Sequence, residues 1–421
     1  MPDDTIESRI PPSCPDTISE ILKNAWHHDL AKLKPLLSVP GRASVQEPTT
    51  GETPLHAAIR SCGADIEAAK AVVYELFLSG AIWNDVDNNN ETPGCVAARL
   101  GQSELYDMVV GAGVRAELLF GLLDGYEALE SDAEEDAGEE VETQDADAVE
   151  GQSQEDAPQD VILESDPDRA FSPPKPQQQT TSDVTSEAYL RANLTYGDGK
   201  LVDDAQNGVM MAWETSIMRS SVDALLPGAP SGKRILNIGF GMGIIDTMFR
   251  ETRPSRHHIV EAHPDVLKHI ETSPDCTFGK DWEASGPSEG AYKIHAGKWQ
   301  EILPTLQEKG ELYDAIYFDT FGEDYSQLRT FFTEYVSSML DEGGTFSFFN
   351  GLGADRKVCY DVYTKVVEMH LADAGLDLEW KEFDVDMKGL EEEGKGEWDG
   401  VRRRYWTLDK YRLPIVKPMG Y

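Results

Sequence analysis

The residues with the clearest chemical meaning form a glycine loop, Asn237-Ile238-Gly239-Phe240-Gly241-Met242-Gly243, where the apolar run Ile235 to Ile238 gives way to a helical pattern. Glycines at such a turn let the backbone bend tightly and approach a ligand closely. The spacing is GxGxG, and Ile244 stands where a dinucleotide fingerprint would place its third glycine. S-adenosylmethionine has no pyrophosphate to cradle, so it fits this loop better than NAD does. A tight turn without a ligand is the competing reading of the loop taken alone. Glu261 ends the next apolar run, 22 residues after Gly239. From that position a carboxylate can accept hydrogen bonds from both hydroxyls of a ribose. Further on, Gly297-Lys298-Trp299-Gln300 offers an aromatic ring and an amide that could stack on and hydrogen-bond an adenine.

These residues act together only if a scaffold gathers the ends of several strands. From about Tyr189 to Tyr421, apolar runs alternate with helical stretches. Ile235 to Ile238, Ile259-Val260, Ala315 to Phe318 and Thr345 to Phe349 read as strands, and Phe331 to Leu340 reads as a helix. The rhythm predicts an α/β fold, a Rossmann-like parallel sheet with helices on both faces and ligands at the carboxyl ends of its strands. Asn350-Gly351-Leu352 either lines an acceptor pocket there or simply turns the chain.

Upstream, GETPLHAAIRSCGAD (51–65) recurs as NETPGCVAARLGQSE (90–104), with Thr53 and Thr92 39 residues apart. Pro54 suits a first helical turn and Thr53 the N-cap before it. Ile66, Ala69, Val72, Val73, Leu76 and Phe77 then fall at helical spacing. The stretch resembles ankyrin repeats, whose usual period is about 33 residues. Residues 17–37 look like a degenerate capping helix pair. The resemblance implies an all-α domain that makes protein contacts, and a structural role for His56 in tying down a turn.

The chain has 421 residues, 40% hydrophobic and 27% charged, enough for more than one core. The expected division is an ankyrin-repeat domain over 1–126, a connector over 127–185 and a methyltransferase domain over 186–421. No Lys or Arg stands between Arg115 and Arg169, and residues 127–168 carry 18 Asp and Glu. Pro and Gln tracts follow, so this connector is expected to stay disordered. The net charge of −40 repels phosphates, which argues against nucleic acid and anionic lipid and for a basic protein partner. Five scattered cysteines without a CxxC pair read as reduced thiols with no metal site. No run approaches the roughly 18–20 apolar residues of a membrane helix, and the first residues lack signal-peptide character. A monomer in the cytoplasm and nucleus is the expectation.

Longer segments carry a closer resemblance. VMMAWETSIM (209–218), NIGFGMGI, GKWQEILPTL and YFDTF look like guanidinoacetate methyltransferase, and Leu340-Asp341-Glu342-Gly343-Gly344 resembles a turn of class I methyltransferases. With the repeats in front, the whole chain resembles the fungal type IV protein-arginine N5-methyltransferases. The catalytic resemblance covers roughly residues 190–421. Carried over residue by residue, it implies S-adenosylmethionine as cofactor, in a site lined by Tyr196, Met218, Phe240, Gly241, Met242, Gly243, Ile244, Ile245, Glu261, Ala262, His263, Trp299, Gln300 and Asp319. Tyr189 lies close to Tyr196 in sequence. Asn237 stands where the wider class has a carboxylate, which would weaken a contact to the methionine amino group.

The same resemblance implies two catalytic acids, Asp319 and Glu214. A guanidinium is cationic, with a pKa above ~12, and its nitrogen lone pairs are delocalised. The sulfonium donor is cationic too. Facing carboxylates would hold the guanidinium, localise its charge and accept a proton as the new bond forms. Asp319 is the expected main orienting and accepting group, with Glu214 as its partner. A strand-end turn and a helix cap are the competing readings of these two residues. The leading activity is methylation of the δ (N5) nitrogen of arginine in a protein, with a ribosomal protein as the implied substrate. No paired-glutamate hairpin or Thr-His-Trp loop of the ω-methylating enzymes is present. A small-molecule guanidino methyltransferase and a non-catalytic ankyrin scaffold are the alternatives.

Overall fold

Ten strands organise the catalytic half of the chain in a computed structural model, which describes residues 5–63, 65–134, 185–391 and 396–420. They are β1 (Thr195–Gly197), β2 (Lys200–Val202), β3 (Gly208–Met211), β4 (Arg234–Ile238), β5 (Arg256–Glu261), β6 (Tyr292–Ala296), β7 (Tyr313–Phe318), β8 (Leu340–Phe348), β9 (Leu376–Asp384) and β10 (Lys410–Pro418). The first three make a small antiparallel meander. The other seven form one sheet in the order β6-β5-β4-β7-β8-β10-β9. Strands β4 to β8 run parallel, and β10 inserts antiparallel between β8 and β9. The sheet is therefore mostly parallel and Rossmann-like, with an antiparallel edge that the apolar pattern did not reveal.

The apolar runs are continuous in β4, β5 and β7 because these central strands are covered on both faces. Ile235, Leu236 and Ile238 are buried, as are Ala315, Ile316, Tyr317 and Phe318. The chain leaves β4 toward β5 on one side, while β7 lies on the other. This reversal opens a crevice at the carboxyl ends of β4 and β7, where Gly239 and Asp319 stand. Between β7 and β8, Phe331–Val336 winds as a π-helix and Ser337–Met339 returns to α. Phe331, Phe332 and Val336 on this stretch are buried.

The N-terminal half is built of helix pairs: Asp16–Trp26 with Leu30–Leu36, Pro54–Arg60 with Ile66–Leu78, and Pro93–Arg99 with Ser103–Glu134. Thr53 and Thr92 cap their helices, each accepting a backbone N–H three residues on, and proline occupies the first helical turn in both. His56 is fully buried, its Nε2 donating to the Glu91 carbonyl (2.9 Å) and its Nδ1 accepting from Thr53 Oγ1 (2.8 Å). Burial depresses its pKa to about 3, so the ring is a neutral tie between two turns.

This half does not hang free on a connector. Val358, Cys359, Val362 and Val366, on the helix Lys357–Asp373, belong to the same apolar core as Val96, Val109 and Val110. A Cβ added at Gly94 would lie 2.5 Å from Val358 Cγ2, so that helix packs directly on the repeat. Tyr106 Oη donates to Asp361 Oδ2 (2.6 Å), and Arg329 Nη1 donates to the Gly121 carbonyl (3.1 Å). The last N-terminal helix also continues past Tyr126 to Glu134. The rest of the expected connector lies outside the described residues.

Candidate active site

A cavity of about 250 Å³ opens at the crevice between β4 and β7. Its walls include Tyr189, Met210, Glu214, Gly239, Gly241, Glu261, Ala262, Trp299, Gln300, Asp319, Glu323, Leu352 and Tyr405. Gly239, Gly241 and Gly243 all adopt positive φ, at 93°, 54° and 68°. Gly239 needs its lack of a side chain most: an added Cβ would stand 1.9 Å from the Asp319 carbonyl oxygen. The loop therefore closes directly against the end of β7 and brings the glycines beside Asp319.

Glu261 is buried and braces the loop from β5. Its Oε2 accepts from Phe240 N (2.8 Å) and Gly241 N (3.4 Å), and its Oε1 from His263 N (2.6 Å). Burial raises its pKa, while these N–H donors oppose the rise. The acceptor site left on Oε1 can still meet a hydroxyl across the cavity.

Asn237 does not face the cavity. It is fully buried, and its amide donates to the Gly239 carbonyl (2.7 Å) and to Asp246 Oδ2 (2.8 Å). The other Asp246 oxygen meets His257 Nε2 at 2.8 Å. The amide at 237 supplies two N–H donors here while its Oδ1 stays buried without a partner, and an ionised carboxylate in its place would set two buried anions in contact. The position holds the loop's shape and has no direct reach to a ligand.

Several expected cofactor residues lie behind the wall. Met218, Phe240 and Ile245 are buried in the cores on either side of β4. Met242 and Ile244 pack against one of these cores, and of the loop glycines Gly239 and Gly241 line the cavity while Gly243 does not. Tyr196 supports the loop from outside, its Oη donating to the Gly241 carbonyl (3.0 Å) and its ring stacked on His269. Tyr189, rather than Tyr196, lines the cavity. His263 is buried too, and its Nε2 donates to the Tyr189 carbonyl (2.9 Å), fixing that segment.

Trp299 lines the cavity, but its ring is committed to the core, edge-on to Phe318, Phe331 and Tyr335. Its Nε1 donates to both Glu323 oxygens (3.0 and 3.1 Å). Glu323 also accepts from Gln300 Nε2 (3.0 Å) and Thr320 Oγ1 (2.7 Å). Sequence reasoning missed Glu323 because it stands in a loop with no period; Gln300 keeps a buried, unpaired Oε1 beside the cavity. Gly351 and Leu352 line the wall, whereas Asn350 turns inward to Tyr360 Oη.

Asp319 and Glu214 both line this cavity. Asp319 follows β7, with Oδ2 shielded from water and without a partner. Glu214 follows β3 and is 2% exposed, at the N-terminus of the helix Thr215–Leu225. Its Oε1 accepts from Met211 N (3.0 Å) and from Tyr405 Oη. The capping reading thus accounts for one oxygen and leaves the other free. Burial raises the pKa of both acids, and the Asp319 charge raises that of Glu214 further. Two dehydrated carboxyls sharing one cavity, with an unmet acceptor, make a receptor for a cation that can donate several hydrogen bonds.

Residues 185–378 match the family model for guanidinoacetate N-methyltransferase. Along nearly its whole length the chain is similar to curated fungal proteins called protein arginine N-methyltransferase 2. That of Gibberella zeae is 59% identical over 97% of this chain and 94% of its own length. That of Neurospora crassa is 60% identical over 99% of both chains. This chain belongs to the protein arginine N-methyltransferase 2 family. The Saccharomyces cerevisiae member is 36% identical over 87% of this chain and 84% of its own.

S-adenosylmethionine is the cofactor, and the site fits it. The open glycine loop, the Glu261 carboxylate and the unpaired Gln300 oxygen form a polar side of the cavity next to the acids. When bound, this group supplies an electrophilic methyl on a sulfonium.

Proposed function

We propose that this protein transfers one methyl group from S-adenosylmethionine to the δ nitrogen of an arginine in a protein substrate. Arginine methylation itself follows from the family; the choice of nitrogen and of substrate is our reading. The observation that carries it is the pair Glu214, buried, and Asp319, half-buried with Oδ2 shielded, two acids from distant segments facing one cavity beside the glycine loop. An arginine side chain entering there exchanges water for carboxylate hydrogen bonds. Asp319 Oδ2, which lacks a partner, accepts from the guanidinium and takes up the proton released as the nitrogen is alkylated. The free oxygen of Glu214 holds a second guanidinium nitrogen and so fixes which lone pair faces the methyl.

The cavity widens outward into a trough lined by Glu187, Glu301, Asp324 and Asp355, with Lys298 and Arg403 as its basic side chains. This acidic bias supports a basic protein substrate, such as a ribosomal protein, over a free metabolite. The helix pairs with Thr-Pro starts support ankyrin-type repeats, which in this reading add protein contacts beside the trough. The enzyme is expected to act as a monomer in cytoplasm and nucleus.

The test uses labelled S-adenosylmethionine, the purified protein and a hypomethylated ribosomal extract, followed by acid hydrolysis and separation of methylated arginines. Label as N5-methylarginine that disappears with Asp319→Asn is the expected result. Label as ω-methylarginine would overturn the δ assignment, and turnover of guanidinoacetate without labelled protein would overturn the substrate.

A further inference from the structure

The acid pair leaves one group in the cavity wall without an assigned role. Tyr405 belongs to the segment between β9 and β10, 191 residues from Glu214 in sequence, yet its Oη donates to Glu214 Oε1. That oxygen also accepts from Met211 N (3.0 Å). Both donors thus converge on one carboxylate oxygen. The phenol itself borders the cavity and the trough alike.

The ring is held from several directions. Trp398 meets it edge-on at 4.9 Å between centroids, and Trp213 lies at 6.1 Å. Gly208, on β3, leaves it room: a Cβ there would come within 3.0 Å of Tyr405 Cε1. The same segment is tied to the turn before β3, with Arg402 N donating to the Gln206 carbonyl (2.8 Å). A phenol in so fixed a seat has one orientation to offer.

We propose that Tyr405 is a positioning residue that locks Glu214 with a single carboxylate oxygen turned toward the incoming guanidinium. A carboxylate free to rotate about its last torsion could offer either oxygen or both. With Oε1 engaged by Met211 N and Tyr405, rotation breaks two hydrogen bonds, so only Oε2 is available. Asp319 likewise offers its unpaired Oδ2. The substrate is then gripped by one oxygen from each of two acids, and neither acid forms a two-pronged clamp alone. This places the guanidinium plane between the acids and limits the poses in which a nitrogen faces the methyl.

The phenol also favours the ionised form of Glu214, in opposition to its burial and to the Asp319 charge. Among the described residues, the other titratable groups facing Glu214 are Glu397, from the segment before β10, and the phenols of Tyr317 on β7 and Tyr411 on β10.

The inference rests on the acid-pair reading, and the experiment separates the two. Methyl transfer to a protein substrate is measured as kcat/KM against pH for Tyr405→Phe, Glu214→Gln and the double variant, with thermal unfolding recorded for each. Tyr405→Phe is expected to lose about 10- to 100-fold at neutral pH, the size of a hydrogen bond to a charged group. Its rising limb should move to higher pH. In the Glu214→Gln background the same change should cost no more than about twofold, because the group it positions is gone. Gly208→Ala, which displaces the ring while keeping its hydroxyl, should reproduce the alkaline movement. An unmoved pH profile in Tyr405→Phe, alongside an impaired Glu214→Gln, overturns the role of Tyr405 alone. Full activity of Glu214→Gln overturns the acid pair and the inference with it.

Discussion

Replacing Asp319 with Asn should make the protein more stable and almost inactive at once. Asp319 and Glu214 are both held above the ordinary carboxylate range, by burial and, for Glu214, by the Asp319 charge. The folded protein therefore binds protons more tightly at these acids than the unfolded chain does, and stability falls as pH rises from the unfolded values through the folded ones. Removing one charge relieves a repulsion on the order of 1–3 kcal/mol between poorly hydrated carboxylates. Asp319 is half-buried and lines an open cavity, so about 1 kcal/mol is the expected gain after screening. For a chain of this size that is a rise in Tm of roughly 2 °C at pH 8. At pH 5, where the pair already carries its protons, the gain should vanish. The asparagine keeps the side chain's shape but turns an anionic acceptor into a neutral amide. A charge-assisted hydrogen bond is worth about 1.5–3 kcal/mol, and proton acceptance a further 10²–10⁴-fold in rate. Together they set an expected loss of about 10³-fold or more in kcat/KM. Thermal unfolding at both pH values and labelled methyl transfer read out the two effects. Activity within about 10-fold of the unaltered protein, or a lower Tm at pH 8, would refute the reasoning.

Because a bound guanidinium must displace the retained proton, KM for an arginine-containing substrate should fall as pH rises through the range where the acids ionise; initial rates from pH 6 to 9 check this. Asn237→Asp should destabilise the fold by about 1–3 kcal/mol near neutral pH, since it sets a second carboxylate against buried Asp246; urea unfolding would measure it. Gly239→Ala should weaken S-adenosylmethionine binding by ~100-fold or more in titration calorimetry, because φ is positive and its Cβ would strike the Asp319 carbonyl. Val362→Asp, a charge in the core shared by the two halves, should lower the unfolding temperature of both together; a calorimetric trace with one half unmoved would contradict that shared core.

Much of this was legible along the chain, for a physical reason. Elements are encoded locally, so the apolar run before the glycines, the Thr-Pro helix starts and Glu261 at a strand end could be read from neighbours in sequence. Asp319 and Glu214 were reached through a family resemblance, and both line one cavity. The resemblance named residues but not the direction of their side chains. Met218, Phe240 and Ile245 turn into the cores, and the Trp299 ring packs with Phe318 and Phe331. No periodicity tells which face of a loop meets a ligand. Only the tertiary structure decided that Tyr405 stands on Glu214, that Glu323 gathers Trp299, Gln300 and Thr320, and that the N-terminal helices share a core with the helix Lys357–Asp373. Those contacts join segments far apart in the chain. Packing of the whole sheet makes them, and no single stretch of sequence carries them.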